Sequence, residues 1–172
     1  MRALIGTGIV AAVALSLATM HALAGDEKAT GTPAEPQAAA LEKHIMLAAE
    51  EVKWGDPPPV FRAGVRFALV EGDPKAPGRL FAFRLKFPDG YKVAPHFHPA
   101  DEHLLVISGT LNMGLGDKFD QKTTSALPVG GFAVMPKGQH HFAWAKGETV
   151  VQVYAVGPWG LTYVNPADDP RN

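Results

Sequence analysis

Cysteine is absent from the 172 residues. That excludes disulfides, thiolate metal sites, a cysteine nucleophile and a lipid-modified N-terminal cysteine. The fold must then be held by its core, and any metal must be bound through nitrogen and oxygen. A surplus of charge is missing as well. The formal net charge is −1, so no basic excess points to nucleic acid or to acidic lipid. Helical patterning is scarce, since only Leu41, Ile45, Ala48 and Val52 fall near helical spacing. What is present is a globular composition, with 47% hydrophobic and 19% charged residues, in a chain long enough for one ordinary domain.

The first 24 residues predict a signal peptide. Arg2 is followed by the mostly apolar run 3–18, and Ala22-Leu23-Ala24 supplies small residues for cleavage between Ala24 and Gly25. The expected location is the periplasm or the exterior. An uncleaved anchor is disfavoured because the run falls short of the roughly 20 apolar residues that span a bilayer. Residues 25–40, rich in Ala, Gly and Pro, have too little apolar surface to offset ordering entropy and predict a flexible leader. Residues 41–59 form an N-terminal extension with one short helix over Leu41–Val52, stopped by Gly55-Asp56-Pro57-Pro58-Pro59. Residues 60–172 make one domain.

From Val60 onward the pattern is all-β. Short runs rich in Val, Phe, Leu and Ile alternate with Gly, Pro and Asp turns. The predicted strands are Val65–Val70, Leu80–Phe87, Tyr91–His98, Glu102–Ser108, Leu111–Leu115, Phe132–Met135, His140–Ala145, Val150–Val156 and Leu161–Val164. About nine short strands indicate a sandwich or barrel. In Leu80–Phe87 the residues Phe81, Phe83, Leu85 and Phe87 share one face, and Arg84 and Lys86 the other.

The chemistry is concentrated between Gly90 and Gly109. Alternation along a strand puts His96 and His98 on one face, with Phe97 turned away. The two positions lie about 6.8 Å apart, a gap that leaning imidazoles can close onto one ion. After the turn Pro99-Ala100-Asp101, Glu102 starts the next strand, above Leu104 and Val106 on the same face. A buried carboxylate on such a floor is costly unless paired or metal-bound. Farther on, Pro136-Lys137-Gly138 reverses the chain and delivers a histidine at the start of the following strand, which supplies a fourth ligand.

These residues resemble the cupin superfamily. Gly90, His96, His98, Glu102 and Gly109 match its first motif, and Gly130, Pro136, Gly138 and His141 its second. The closing Asn of the second motif is replaced by Ala145. The resemblance covers about residues 60–165, and within the superfamily the chain looks like small secreted bacterial single-domain members. The resemblance implies a double-stranded β-helix, a jelly-roll barrel with the ion inside. It also implies one divalent ion on His96, His98, Glu102 and His141, with Fe, Mn, Zn, Ni, Cu and Co all compatible with imidazole and carboxylate.

Other groups are weighed against this set. A lone His-x-His on a strand is usually ordinary surface. His103 and His140 are turned away by alternation, and His44 lies outside the barrel region. Trp54, Trp144 and Trp159 read as packing more readily than as substrate platforms. Gln152 and Tyr154 either point outward or line the pocket as polar contacts. Asp117–Asp120 predicts a short helical turn, and it lacks calcium-loop spacing. Four protein ligands leave one or two positions open on the ion. That permits an oxygen-using oxidoreductase, dioxygenase-like, or an isomerase, on a small organic substrate. A non-catalytic metal or small-ligand binder is the alternative, because no acid–base pair or nucleophile accompanies the site. The expected partners are a small-molecule ligand or substrate, with a homodimer as a possible assembly, no nucleic acid, and no membrane after signal cleavage.

Overall fold

The computed structural model describes residues 44–172. The expected signal peptide, leader and start of the helix lie outside the described residues. What is described of the Leu41–Val52 helix is a single 3₁₀ turn at Ala49–Glu51, where the Glu51 carboxylate accepts the Ala48 N–H at 2.8 Å. Ile45 and Met46 are 53% and 83% exposed. Among the described residues of this segment only Val52 is buried, too little apolar surface to offset the cost of nucleating an α-helix.

Eight strands follow: β1 Arg66–Glu71, β2 Leu80–Phe87, β3 Lys92–Phe97, β4 Glu102–Leu115, β5 Ser125–Leu127, β6 Phe132–Met135, β7 His141–Val156 and β8 Thr162–Tyr163. All pairings are antiparallel, along the path β1-β2-β7-β3-β8, with β4 joining β5, β6 and β7. The long strands β4 and β7 run side by side from His103↔Tyr154 to Leu115↔His141 and form the spine of the barrel. Gly55 pairs with Phe67 and ties the extension to β1.

The strand count differs from the nine expected. Glu102–Ser108 and Leu111–Leu115 are one strand, and so are His140–Ala145 and Val150–Val156. The glycines that read as turns are bulges instead. Gly109 sits at φ +75°, where the pairing of β4 with β7 shifts register. A side chain there would meet the Glu148 carbonyl and Thr149, so the chain passes too close for anything but glycine. The short strand β5 was not anticipated. It pairs with Leu111–Met113 and carries too little apolar pattern to stand out. The helical turn expected at Asp117–Asp120 falls at Gln121–Thr123, with the Asp120 carboxylate capping the Lys122 N–H at 2.9 Å.

The alternation read in β2 holds. Phe81, Phe83, Leu85 and Phe87 are buried in the core, facing Val151, Val153 and Ala155 of β7 on the neighbouring strand. Gly114 of β4 lies against the ring of Phe142, which fills the space a side chain would need.

Candidate metal centre

His96 comes from the end of β3, His98 from the residue just past it, Glu102 from the start of β4 and His141 from the start of β7. Two devices bring them together. One is a bulge in β3: Val93 pairs with Ala143 and His96 with His141, so β3 holds one residue more than β7 in that interval. Val93 and His96, an odd number of residues apart, therefore both face the interior. Pro95, within the bulge, has no N–H to leave unpaired. The other device is the tight turn before Glu102, which starts β4 beside the histidines.

The four side chains are buried: His96 5%, His98 2%, Glu102 6% and His141 1% exposed. The three histidines offer one ring nitrogen each within 4.8 Å of one another. Their orientation is set by backbone carbonyls. Nδ1 of His96 meets the Ala94 carbonyl at 2.7 Å, Nδ1 of His98 that of Gly160 at 2.7 Å, and Nδ1 of His141 that of Gln139 at 2.9 Å. A carbonyl only accepts, so each Nδ1 carries the proton and each neutral ring keeps its lone pair on Nε2. That is the arrangement by which metal-binding histidines are held.

Glu102 stands beside this trio. Its Oε2 is 3.0 Å from Nε2 of His98 and 3.9 Å from Nε2 of His141. Its Oε1 accepts the indole N–H of Trp159 at 3.3 Å. The short approach to His98 is not a formed hydrogen bond: Nε2 of His98 is buried without a hydrogen-bond partner. A lone pair faces a carboxylate there, and both are acceptors. A divalent cation between them would satisfy both, so the donors present fit such an ion.

Electrostatics agree with that geometry at His96, His141 and Glu102, while His98 is pulled toward its protonated form until an ion displaces the proton. Burial lowers the pKa of His96 well below its usual value, and the neighbouring His141 and His98 lower it further. Burial also brings His141 below its usual value, against the opposing pull of the Gln139 carbonyl and Glu102. At His98 burial works the same way, but the Glu102 carboxylate and the Gly160 carbonyl outweigh it and raise the pKa. For Glu102 burial raises the pKa, but His98, then His141 and the Trp159 N–H, outweigh it and hold the group ionised.

The donors open on a cavity of about 40 Å³ inside the barrel. Leu85, Val93, Leu104, Leu111, Val151 and Val153 line it, and among the described residues its only side chains with ionisable groups are the three histidines and Glu102. Gln152 and Tyr154, candidates for pocket-lining contacts, face the other way. Gln152 accepts from Arg84 at 3.0 Å, and Tyr154 stacks on His103 at 5.2 Å between ring centroids. Val151 and Val153 take the inner positions on that strand. His140 also points outward, with Nδ1 2.6 Å from Asp117 and its ring stacked on Phe97. Trp159 is the residue that sequence reasoning undervalued. Besides its bond to Glu102, its indole stacks on His98 at 5.3 Å. Nothing in its local sequence marks it, because Gly157-Pro158 carries it back onto the site from a loop.

The model of a family described as a domain of unknown function, DUF4437, matches residues 72–166. Germin-like protein 9-1 of Oryza sativa subsp. japonica is 41% identical over 70 residues, which is 39% of this chain and 28% of that protein. The chain thus matches less than a third of the length of the curated relatives. Among solved structures, the polyketide cyclase RemF from Streptomyces resistomycificus superposes with a TM-score of 0.58 at 19% identity, over 74% of this chain and 90% of that one. A candidate acetylacetone dioxygenase from Methylibium petroleiphilum gives 0.56 at 18% identity, over 74% and 85%. At these identities the structural likeness speaks to the fold.

Proposed function

We propose, for a chain that belongs to the DUF4437 family and to the cupin superfamily, the role of an exported metal-dependent oxidoreductase acting on a small organic molecule. Its ion is held by His96, His98, Glu102 and His141. A divalent ion in this site supplies Lewis-acid or redox chemistry at the positions its protein ligands leave open. The chain's own residues do the rest. The Ala94, Gly160 and Gln139 carbonyls keep three Nε2 atoms aimed inward. Trp159 helps hold Glu102 as a carboxylate, and the aliphatic wall excludes water.

The observation that carries this reading is the convergence of all four ionisable groups of the cavity on one point. With no other charged side chain among the described residues in that space, a reactant is activated at the ion. The same observation supports a second reading, a non-catalytic metal or small-ligand binder, because a cavity of about 40 Å³ without a separate acid or base leaves little room for chemistry. A solved structure of the same fold that is named for a candidate dioxygenase lends the first reading precedent.

Metal analysis of protein from its native compartment, followed by a substrate screen with and without oxygen, separates the two. The oxidoreductase reading expects about one equivalent of metal and oxygen uptake on turnover. Stoichiometric metal with no turnover on any substrate supports the binder. Export rests on the N-terminal pattern Arg2, 3–18 and Ala22-Leu23-Ala24. The intact mass of exported protein should begin at Gly25, and a full-length membrane-bound chain would refute it.

A further inference from the structure

The metal cavity is closed. Among the described residues, every side chain that lines it is buried except that of Trp159, which is partly exposed. A volume of about 40 Å³ has room for a few water molecules and for no organic molecule of ordinary size. Outside lies a second cavity, of about 450 Å³. Trp159 and Leu161 line both, and of the two only Trp159 reaches the surface. The indole is thus the part of the wall that separates the four donors from solvent.

The backbone around this ring is pinned and the ring itself is not. The Trp159 N–H donates to the Pro74 carbonyl at 2.7 Å, and the Gly160 carbonyl accepts from Nδ1 of His98 at 2.7 Å. Gly157 packs directly on the Ala76 carbonyl, with no room for a side chain. The indole is held by less. It makes one long hydrogen bond, 3.3 Å to Glu102, lies on His98 at 5.3 Å and meets Phe83 edge-on at 5.1 Å. Rotation about its Cα–Cβ bond to another staggered position would break these contacts and leave the backbone bonds intact. On the inner side His98 and Glu102 block such a turn. On the outer side a cavity of about 450 Å³ can receive the ring.

We propose that Trp159 is the gate of the metal cavity. Its indole turns into the outer cavity to admit any molecule larger than water or dioxygen, then turns back to seal the donors from solvent. The same turn withdraws the N–H from Glu102, so entry is coupled to the hold on that carboxylate. The gate does not depend on the ion. That the molecule admitted is a substrate rests on the function proposed above.

Diethyl pyrocarbonate, a reagent far larger than water that acylates unprotonated imidazole nitrogen, tests entry without calling on activity. It is applied to the full chain before and after metal removal, and modified histidines are located by peptide mass. The exposed His44 is the internal standard. In the metal-free wild type His96 and His141 should react slowly but measurably. Trp159→Ala should speed them at least about tenfold, the rate equivalent of one hydrogen bond to a charged group. Trp159→Phe, which keeps a smaller ring, should speed them by less, and it carries the test if the alanine variant does not fold. Val151→Ala enlarges the same cavity from a fully buried position and should leave the rate relative to His44 unchanged.

Equal acceleration by Val151→Ala would mean entry by breathing of the barrel. No reaction in the folded wild type would mean a fixed wall, and rates indifferent to both Trp159 variants would place the entrance elsewhere. Each of these overturns the gate. One equivalent of Zn(II) should shield His96 and His141. Entry controlled by Trp159 that no metal suppresses would leave the gate standing and remove the proposed oxidoreductase, whereas shielding by metal without dependence on Trp159 would do the reverse.

Discussion

His140 and His141 are adjacent in sequence and opposite in surroundings. His141 is buried with Nε2 facing His96 and His98, whereas His140 is half-exposed and paired with Asp117. His141→Ala should lower metal affinity at least about tenfold, while His140→Ala should change it little. Titration of the two purified variants with one metal decides, and the reverse ranking would contradict the site. The double variant His96→Ala with His98→Ala should retain almost no metal. Trp159→Phe keeps the ring stacked on His98 but removes the N–H that Glu102 accepts. Loss of such a supporting bond typically costs about 10–100-fold in affinity, and the low end is expected at 3.3 Å. Acid should also release the ion. His96 and His141 are kept neutral by burial, but His98 is held above its usual pKa beside Glu102 and must lose its proton to ligate. Affinity should therefore begin to fall while the pH is still above the ordinary imidazole value near 6.5, where His98 takes up its proton, and go on falling below it. Affinity that stayed constant down to about pH 4 would rule out imidazole ligands.

At the scale of elements, the spine formed by β4 and β7 depends on close approaches that only glycine permits. A Cβ at Gly114 would come within 2.3 Å of the Phe142 ring, which is fully buried and also packs on Phe119. Gly114→Ala should destabilise the fold by about 1–3 kcal/mol, the usual cost of overpacking a filled core. Adding Phe142→Leu should recover part of it by making room. Urea denaturation of the single and double variants measures both effects, and an additive loss would argue against the contact. The same logic explains why strand number was misjudged. A glycine between two apolar runs reads as a turn, and whether it is one depends on what lies opposite. At Gly109 the Glu148 carbonyl and Thr149 lie there, so the strand continues through a bulge.

For the whole molecule, the ligands come from three strands that converge only in the folded barrel, so metal binding and folding are coupled. An ion present at a hundred times its dissociation constant would add about 2.7 kcal/mol to stability. Chelation should therefore lower Tm by roughly 5–10 °C, and restoring the metal should reverse the change. A Tm indifferent to chelator in protein that had carried one equivalent would mean that the ion binds outside the barrel.

The sequence by itself determined the all-β class and the inward faces of the strands, because both follow from local alternation of apolar side chains. It also singled out His96, His98, Glu102 and His141, because their spacing matches the two cupin motifs. Tertiary structure alone decided that Trp159 leans on that site, that Gln152 and Tyr154 do not, and that Val151 and Val153 line the cavity. Those outcomes depend on which strand lies opposite and how a loop returns. They are set by pairings such as Leu104↔Val153 and His96↔His141, which join residues far apart along the chain and leave no mark in local pattern.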